Sequence, residues 1–253
     1  LTIYDFLSIN ASGVRRHQRL SGRETLRAAP SLDASRVSSG LRFHDCITDD
    51  SRVVMEVIKS ACSFGALAIN YLEAIGFQTT EGNDSVEAVR CRDALTGAET
   101  VIRCRSCVNA TGVWSDKLLS QLDPAWTRKV KPAKGTHIVL PLSSFETTTA
   151  LFLPTADGRY VFVVPWQKAL MVGTTDLSYE GPLDNPVATA EEIDYLLGVL
   201  NSYRNNRCKN GEVKPLSRAD VVATWAGLRP LVSAGNEDGQ SGQTANISRE
   251  HSL

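Results

Sequence analysis

Two strand-like runs joined by a short turn constrain the fold of this chain more than any other feature of its sequence. The runs Tyr160 to Val164 and Ala169 to Gly173 consist almost entirely of β-branched, aromatic and other apolar residues, and Pro165-Trp-Gln-Lys168 separates them. Runs of this length and composition, connected by a turn, are typical of neighbouring antiparallel strands. The pattern therefore predicts a β-hairpin, and His137 to Leu142 is a further strand of the same kind.

A helix is predicted after this hairpin. Thr189 and Glu192 match a capping box, in which each side chain bonds to the backbone of the other residue. The apolar residues that follow recur at the helical spacing i, i+3, i+4, i+7 and should face the core; they are Ile193, Leu196, Leu197 and Leu200. Strands followed by an amphipathic helix indicate a mixed, α+β fold.

A helix is also predicted in the first half of the chain, between Asp49 and Gly65. Asp49 and Asp50 are good helix caps, and Gly65 is placed to end the helix. One face of this helix is apolar and consists of Val53, Val54, Val57, Ile58 and Ala61. A strand is expected to follow from about Ala66.

A second hairpin and a turn are predicted next. The stretches Val86 to Arg92 and Thr100 to Asn109 have strand character, and Gly97 between them suits a turn. The Cys104-x-x-Cys107 pair falls within the strand-like run from Ile102 to Val108. The tight turn Asn109-Ala-Thr-Gly112 then leads into a short helix over Ser115 to Leu122.

Composition and charge exclude several classes of function. With 253 residues, of which 42% are hydrophobic, the chain can form a globular protein with a sizeable core. Its net charge of −1 lacks the basic excess that nucleic-acid binding needs. No stretch approaches the roughly 18 apolar residues of a membrane span. The six scattered cysteines indicate reduced thiols in a cytoplasmic protein, and the lone CxxC has no second pair to complete a zinc site.

Neither of the nucleotide-binding motifs GxGxxG and GxxxxGK[ST] occurs in the sequence. Eight longer blocks are instead similar to those of a known family. In order they are Phe43-His-Asp-Cys-Ile-Thr-Asp-Asp-Ser-Arg52, Val108-Asn-Ala-Thr-Gly-Val-Trp-Ser-Asp116, Lys134-Gly-Thr-His-Ile-Val-Leu140, Asp157-Gly-Arg-Tyr-Val-Phe-Val-Val-Pro-Trp166, Gly173-Thr-Thr-Asp176, Glu192-Ile-Asp-Tyr-Leu-Leu197, Trp225-Ala-Gly-Leu-Arg-Pro-Leu231 and Ile247-Ser-Arg-Glu-His251. Together these blocks resemble FAD-dependent glycerol-3-phosphate dehydrogenases and oxidases, in the D-amino-acid-oxidase-like flavoprotein superfamily.

The resemblance implies that this chain is the middle portion of such a protein. The dinucleotide fingerprint of the family would precede residue 1, and a Gly-Gly-Lys block would follow residue 253. The implied fold is part of an FAD domain joined to a substrate domain of antiparallel sheet. The expected segments are 1–65 (FAD and substrate region), 66–130 (hairpin and turn of the FAD domain), 131–232 (substrate domain) and 233–253 (polar loop and return).

Three short segments are implied to contact the FAD, and two of them, Asn109 to Gly112 and Gly173 to Asp176, are predicted turns. Small residues let the backbone approach a ligand, although each of these two turns can also be explained by local geometry alone. The implied cofactor-binding residues are Ala110, Thr111, Gly112, Gly135, Thr136, Gly173 and Thr174.

The implied substrate and catalytic residues are one histidine and two arginines. His137 begins an apolar strand and is the candidate catalytic base; the alternative is a hydrogen-bonded structural histidine. Arg229 lies among apolar residues, and a guanidinium there can bind phosphate through two parallel hydrogen bonds. Arg249 follows the polar loop and can bind the same phosphate. A structural salt bridge is the alternative for each arginine and is favoured more for Arg249.

The implied reaction is oxidation of sn-glycerol 3-phosphate to dihydroxyacetone phosphate, with hydride transfer to FAD and with quinone or oxygen as the electron acceptor. Peripheral attachment to the inner membrane and formation of a homo-oligomer stay open. Two other functions also stay open: a non-catalytic substrate domain that cannot hold FAD, and an amine-oxidising relative whose arginine binds a carboxylate.

Overall fold

The computed structural model describes residues 2–7, 15–81, 85–205, 207–208, 211–212 and 214–232. The chain divides into two compact units, a larger one of Leu1–His44 with Lys131–Leu253 and a smaller one of Asp45–Val130. The predicted boundary between residues 130 and 131 falls at the border of these units, and the other predicted boundaries fall inside them. The four-segment organisation as a whole stays a prediction.

The helices and strands follow one another in mixed order. They are α1 (Thr2–Leu7), β1 (Gln18–Ser21), α2 (Gly22–Ala28), β2 (Ser39–Arg42), α3 (Asp50–Ser63), β3 (Leu72–Thr79), β4 (Val86–Asp93), β5 (Glu99–Arg103), α4 (Ser115–Leu122), β6 (Val130–Pro141), β7 (Leu151–Pro154), β8 (Tyr160–Trp166), β9 (Ala169–Gly173), β10 (Leu177–Ser178), α5 (Ala190–Tyr203), β11 (Arg207–Cys208), β12 (Gly211–Glu212) and β13 (Ala223–Val232). Short 3₁₀ turns lie at Gly112–Trp114, Leu142–Ser144 and Arg218–Asp220.

The smaller unit contains two helices and a three-stranded antiparallel sheet in the order β3-β4-β5. The side chain of Asp49 accepts a hydrogen bond from the Arg52 amide at the start of α3, and Gly65 follows that helix with a φ of 91°. The predicted helix is therefore confirmed. Its apolar face is not buried by any residue that the structure describes.

Two strand predictions in the smaller unit were wrong in their bounds. The strand expected from Ala66 begins at Leu72, because residues 66–71 have no ladder partner within the described ranges. The strand expected to reach Asn109 ends at Arg103, so the run from Ile102 to Val108 that holds Cys104 and Cys107 is mostly not a strand. Pairing with β4 stops at Ala88 and Arg103, and beyond it the Cys104 amide still donates to the Glu87 carbonyl over 2.9 Å.

The larger unit is built on a six-stranded sheet. Strands run in the order β10-β6-β9-β8-β7, each antiparallel to its neighbour, and β13 also pairs with β6. Strands β8 and β9 form the predicted hairpin. The connecting turn is tighter than Pro165 to Lys168, because Pro165 and Trp166 still pair in the ladder and Gln167 takes a φ of 53°.

One face of this sheet carries the hydrophobic core. Helix α5 begins with the predicted capping box of Thr189 and Glu192, and its side chains pack on the sheet. The core includes Ile138, Leu140, Leu153, Val161, Val163, Leu170 and Val172 from the strands and Leu196, Leu197 and Leu200 from the helix. Ile193 is partly buried against the same cluster, as expected.

The other face of the sheet carries aromatic and aliphatic side chains together with His137. Because side chains alternate along a strand, the residues between the core positions point to this second face. His137, Gly173 and Phe162 lie side by side across three strands, and Phe152 is the next residue in that row. Phe152 and Phe162 remain about two-fifths exposed. The candidate site is on this face.

No helix in the described ranges combines the length and the apolar character needed to cross a membrane. The predicted polar loop at 233–244 and the rest of segment 233–253 lie outside the described residues.

Candidate functional site

Strand β6 sends successive residues of the Lys134-Gly-Thr-His137 block to opposite faces of the sheet. Lys134 and Thr136 are buried on the side of α5, whereas Gly135 and His137 face the other side. The block therefore serves two purposes. One pair of residues anchors the helix, and the other pair forms the candidate site.

The anchoring pair contacts a buried glutamate. Lys134 Nζ lies 2.8 Å from Glu192 Oε2, and both side chains are at most 7% exposed. Thr136 Oγ1 and Thr175 Oγ1 donate to Glu192 Oε1 over 2.9 and 3.1 Å. Burial alone would raise the pKa of Glu192, but the hydrogen bonds from Lys134, the Thr189 amide and the two hydroxyls lower it.

Thr136, one of the predicted cofactor-binding residues, has its polar groups occupied within this network. Its hydroxyl bonds to Glu192, its amide donates to Thr175 Oγ1 over 2.9 Å, and its carbonyl accepts from the Thr175 amide. The side chain is fully buried. A structural role therefore accounts for Thr136, and its contact with a cofactor stays a prediction.

His137 is held between a neighbouring strand and an indole ring. Its imidazole stacks on Trp225 of β13, with ring centroids 4.8 Å apart and planes 7° from parallel. A Cβ at Gly173 would lie 2.2 Å from the imidazole Cδ2, so only glycine leaves room for the ring in this position. The residue at position 173 thus has a packing reason to be glycine.

The imidazole of His137 is suited to accept a proton. Burial, followed by the positive charge of Arg229, lowers the pKa of His137 below its ordinary value of 6.5. The ring is therefore neutral at pH 7. Its Nδ1 atom is buried and has no hydrogen-bond partner among the described residues. A buried nitrogen in this condition favours a further ligand beside the ring.

Arg229 is the cationic group of this face. Its Nη1 donates to Asp176 Oδ1 over 3.2 Å, and the arginine side chain is 32% exposed whereas that of Asp176 is 10% exposed. A Cβ at Gly135 would lie 2.9 Å from Nη2, so the guanidinium lies directly against the main chain there. The salt bridge considered as the alternative role of Arg229 is thus present. It uses only part of a five-donor guanidinium.

Asp176 is itself fixed by a second arginine. Arg159 Nη1 donates to the Asp176 carbonyl over 3.1 Å, and the Arg159 guanidinium also pairs with Asp157. Thr174, on the other side of Thr175, donates its hydroxyl to the Thr175 carbonyl over 3.0 Å. The carboxylate that meets Arg229 therefore lies on a well-anchored segment, so the direction of the guanidinium is defined.

The predicted turn of the smaller unit is closed by its own side chains. Asn109 Oδ1 accepts from the amide and the hydroxyl of Thr111 over 3.2 and 2.7 Å, and Ser115 Oγ donates to the Gly112 carbonyl over 2.8 Å. Gly112 has a φ of 59°, and a Cβ there would meet no described atom within 4 Å. The turn from Asn109 to Gly112 is therefore stabilised by its own side chains, and the space beside Gly112 holds no described atom.

The structure brings five of the ten predicted site residues together. Gly135, Gly173, Thr174, His137 and Arg229 cluster in the larger unit, whereas Ala110, Thr111 and Gly112 belong to the smaller unit, and Arg249 lies outside the described residues. Three contacts were not predicted: that of Asp176 with Arg229, that of Trp225 with His137, and that of the capping-box residue Glu192 with Lys134. All of these residues occur in the blocks that carry the family resemblance, which is the signal that could have pointed to them.

A family model and several curated proteins are similar to this chain. The family model "FAD dependent oxidoreductase" matches residues 4–248. The chain is 33% identical over 251 residues to glycerol-3-phosphate dehydrogenase 2 of Mycobacterium bovis and 35% identical over 256 residues to alpha-glycerophosphate oxidase of Streptococcus pneumoniae; each match covers 99% of this chain and 40% of the relative. The chain thus spans about two-fifths of the length of these curated relatives.

A solved structure is similar as well. Glycerol-3-phosphate dehydrogenase from Bacillus halodurans, complexed with FAD, superposes with a TM-score of 0.75 at 30% identity, over 92% of this chain and 47% of that one. The family match extends over nearly the whole chain, and the antiparallel sheet with its helix agrees with the fold of that flavoprotein. The chain therefore belongs to the family of FAD-dependent oxidoreductases.

Proposed function

We propose that this chain carries the substrate-binding part of a flavoprotein that oxidises sn-glycerol 3-phosphate. The observation that supports this most is the pairing of a neutral His137 with a partly exposed Arg229 on one face of the sheet. A substrate with a phosphate monoester and a free secondary hydroxyl needs a fixed cation for its phosphate and a base for its hydroxyl. The names of the relatives agree with this substrate.

The residues present fit an FAD in two respects. Gly112 lets a ligand approach the main chain of its turn, and His137 Nδ1 is a buried nitrogen with no described partner. Within the larger unit, Gly135, Gly173 and Thr174 would contact the cofactor. Ala110, Thr111 and Gly112 stay proposed cofactor-binding residues of the smaller unit. When bound, the flavin supplies the acceptor for the two electrons leaving the substrate.

Four residues of the proposed site then have defined roles. Arg229 and Arg249 bind the phosphate, which fixes the position of the carbinol carbon. His137 takes the proton of the carbinol hydroxyl as the hydride leaves that carbon, and dihydroxyacetone phosphate is the product. Asp176 holds one nitrogen of Arg229 and leaves the other donors for the phosphate.

The remaining partners are proposed on the same basis. The proposed electron acceptor is quinone or oxygen, and the relatives include both a dehydrogenase and an oxidase. Formation of a homo-oligomer and peripheral attachment to the inner membrane stay open for the proposed holoenzyme. "Holoenzyme" here means the FAD-bound protein that includes these 253 residues.

The role of Arg229 can be tested by steady-state kinetics of the holoenzyme. A charged hydrogen-bond pair to phosphate contributes about 1.5–3 kcal/mol, so Arg229→Ala should lower kcat/KM for glycerol 3-phosphate by roughly ten- to a hundredfold. Arg229→Lys should recover only part of this loss, because an ammonium group lacks the planar fork. The melting temperature should change little in comparison.

The matched control is Arg218→Ala. Arg218 also pairs with a carboxylate, that of Asp194, but it is more than half exposed. Its removal should leave kcat/KM unchanged. If Arg229→Ala lowers the melting temperature while the folded enzyme keeps its kcat/KM, the salt bridge with Asp176 is the whole function of Arg229 and the proposal fails.

A further inference from the structure

Three glycines face the candidate site, and the structure explains only two of them. A side chain at Gly135 would collide with Arg229, and one at Gly173 would collide with His137. A Cβ at Gly227 would meet no described atom within 4 Å. Gly227 does not have the positive φ that favours glycine, so neither packing nor backbone conformation within the described residues requires a glycine there.

Gly227 is at the centre of the site. It lies within β13, two residues from Trp225 and two residues from Arg229, so all three share one face of the strand. Trp225 stacks on His137, and Arg229 lies against Gly135. Gly227 is itself exposed, and its missing side chain leaves open space, here called the recess, with the proposed base and its indole partner at one end and the proposed phosphate-binding cation at the other.

Glycine inside a strand weakens it and often marks a position where a ligand comes close to the backbone. Residues two apart along a strand are separated by roughly 6.6 Å, so the recess beside Arg229 has room for a short, unbranched chain. A phosphate on Arg229 would direct the rest of its ester over Gly227 and toward His137.

We propose that Gly227 is a specificity-determining residue, whose main chain forms the floor of a recess for the carbon chain of a three-carbon phosphate ester. The inference rests on the proposed function and adds to it the part of the site that contacts carbon. Arg229 selects the phosphate, and the space above Gly227 selects an ester that is short and slender beyond the phosphate.

The test measures binding of two ligands to the oxidised holoenzyme by calorimetry. Dihydroxyacetone phosphate contains the three-carbon chain and cannot reduce the flavin, whereas inorganic phosphate contains only the group bound by Arg229. Gly227→Val should raise the Kd of dihydroxyacetone phosphate tenfold or more and change that of inorganic phosphate less than twofold. Gly227→Ala should give a smaller effect in the same direction.

The matched control is Gly198→Ala. Gly198 lies on α5, and a Cβ there also meets no described atom within 4 Å. This variant should bind both ligands like the wild type.

Three results would contradict the inference. Binding of dihydroxyacetone phosphate by Gly227→Val as tight as by the wild type would show that no ligand carbon lies over this residue. A lower melting temperature together with an equal rise in the Kd of both ligands would show that protein atoms fill the recess. A wild-type holoenzyme that binds neither ligand would refute the proposed function itself, and this inference with it.

Discussion

Replacing Glu192 with glutamine tests whether the Lys134-Gly-Thr block anchors the helix. The carboxylate accepts hydrogen bonds from Lys134 Nζ (2.8 Å), Thr136 Oγ1 (2.9 Å), Thr175 Oγ1 (3.1 Å) and the Thr189 amide (2.9 Å). Glutamine keeps the shape but removes the charge, and its NH₂ group must face donors.

The expected cost follows from burial of the ion pair. Removing one partner of a buried pair typically costs about 3–5 kcal/mol, because the other charge stays buried without compensation. Lys134 would then keep the Val187 carbonyl, 3.0 Å from Nζ, and the Tyr179 ring, whose centroid is 5.4 Å from Nζ. A typical domain is stable by about 5–15 kcal/mol, so the loss is a large fraction of the total.

Urea denaturation of Glu192→Gln measures this loss. For an m-value of about 1–3 kcal/mol/M, the midpoint should fall by about 1 M or more. Glu191→Gln, on the same helical turn but exposed, should have little effect. In a Lys134→Met background Glu192→Gln should cost less, because no buried ammonium is left unpaired. An unchanged midpoint together with weaker FAD binding would refute the structural role and would assign the block to the cofactor.

Two further predictions concern acid stability and the cofactor. Hydrogen bonds from Arg159 and Thr155 lower the pKa of Asp157 from 3.8 to about 2, so its contribution to stability is present above about pH 4 and is lost as the pH falls through about 2. Asp157→Asn should therefore flatten the pH dependence of the urea midpoint in that window, and an unaltered slope would contradict the assignment. The 253 residues contain no GxGxxG, so equilibrium dialysis should find weak FAD binding or none for this chain alone; tight, stoichiometric retention would refute this.

Local signals in the sequence predicted several elements correctly. The capping box fixed the start of α5, and the composition of β8 and β9 identified their hairpin. The helix of α3 also began and ended at the predicted caps. In each case the information lies within a few residues of the element, so a single sequence contains it.

The strand bounds required information from elsewhere in the chain. Apolar residues near Ala66 have strand composition, but Leu67 is 89% exposed and the described part of the chain offers that run no partner. The strand expected to reach Asn109 ends at Arg103, where its pairing with β4 stops at Ala88. The composition of a strand-like run does not specify where its pairing with a neighbour stops.

The sequence blocks predicted which residues belong to the candidate site, but not which of these residues contact one another. The family resemblance selected His137 and Arg229, but the contact of Arg229 with Asp176 joins residues 53 positions apart. The stack of His137 on Trp225 likewise depends on β13 lying beside β6. These pairings are set by the sheet topology, which no local pattern specifies.

The proposed function is tested most directly by anaerobic reduction of the flavin in the holoenzyme. The reaction requires no electron acceptor other than the bound flavin, so loss of flavin absorbance reports the first half of catalysis alone. Addition of sn-glycerol 3-phosphate should bleach the flavin stoichiometrically, whereas glycerol and glycine at the same concentration should not, because neither carries a phosphate for Arg229. Bleaching by glycine but not by glycerol 3-phosphate would contradict the proposed function and would favour an amine-oxidising enzyme.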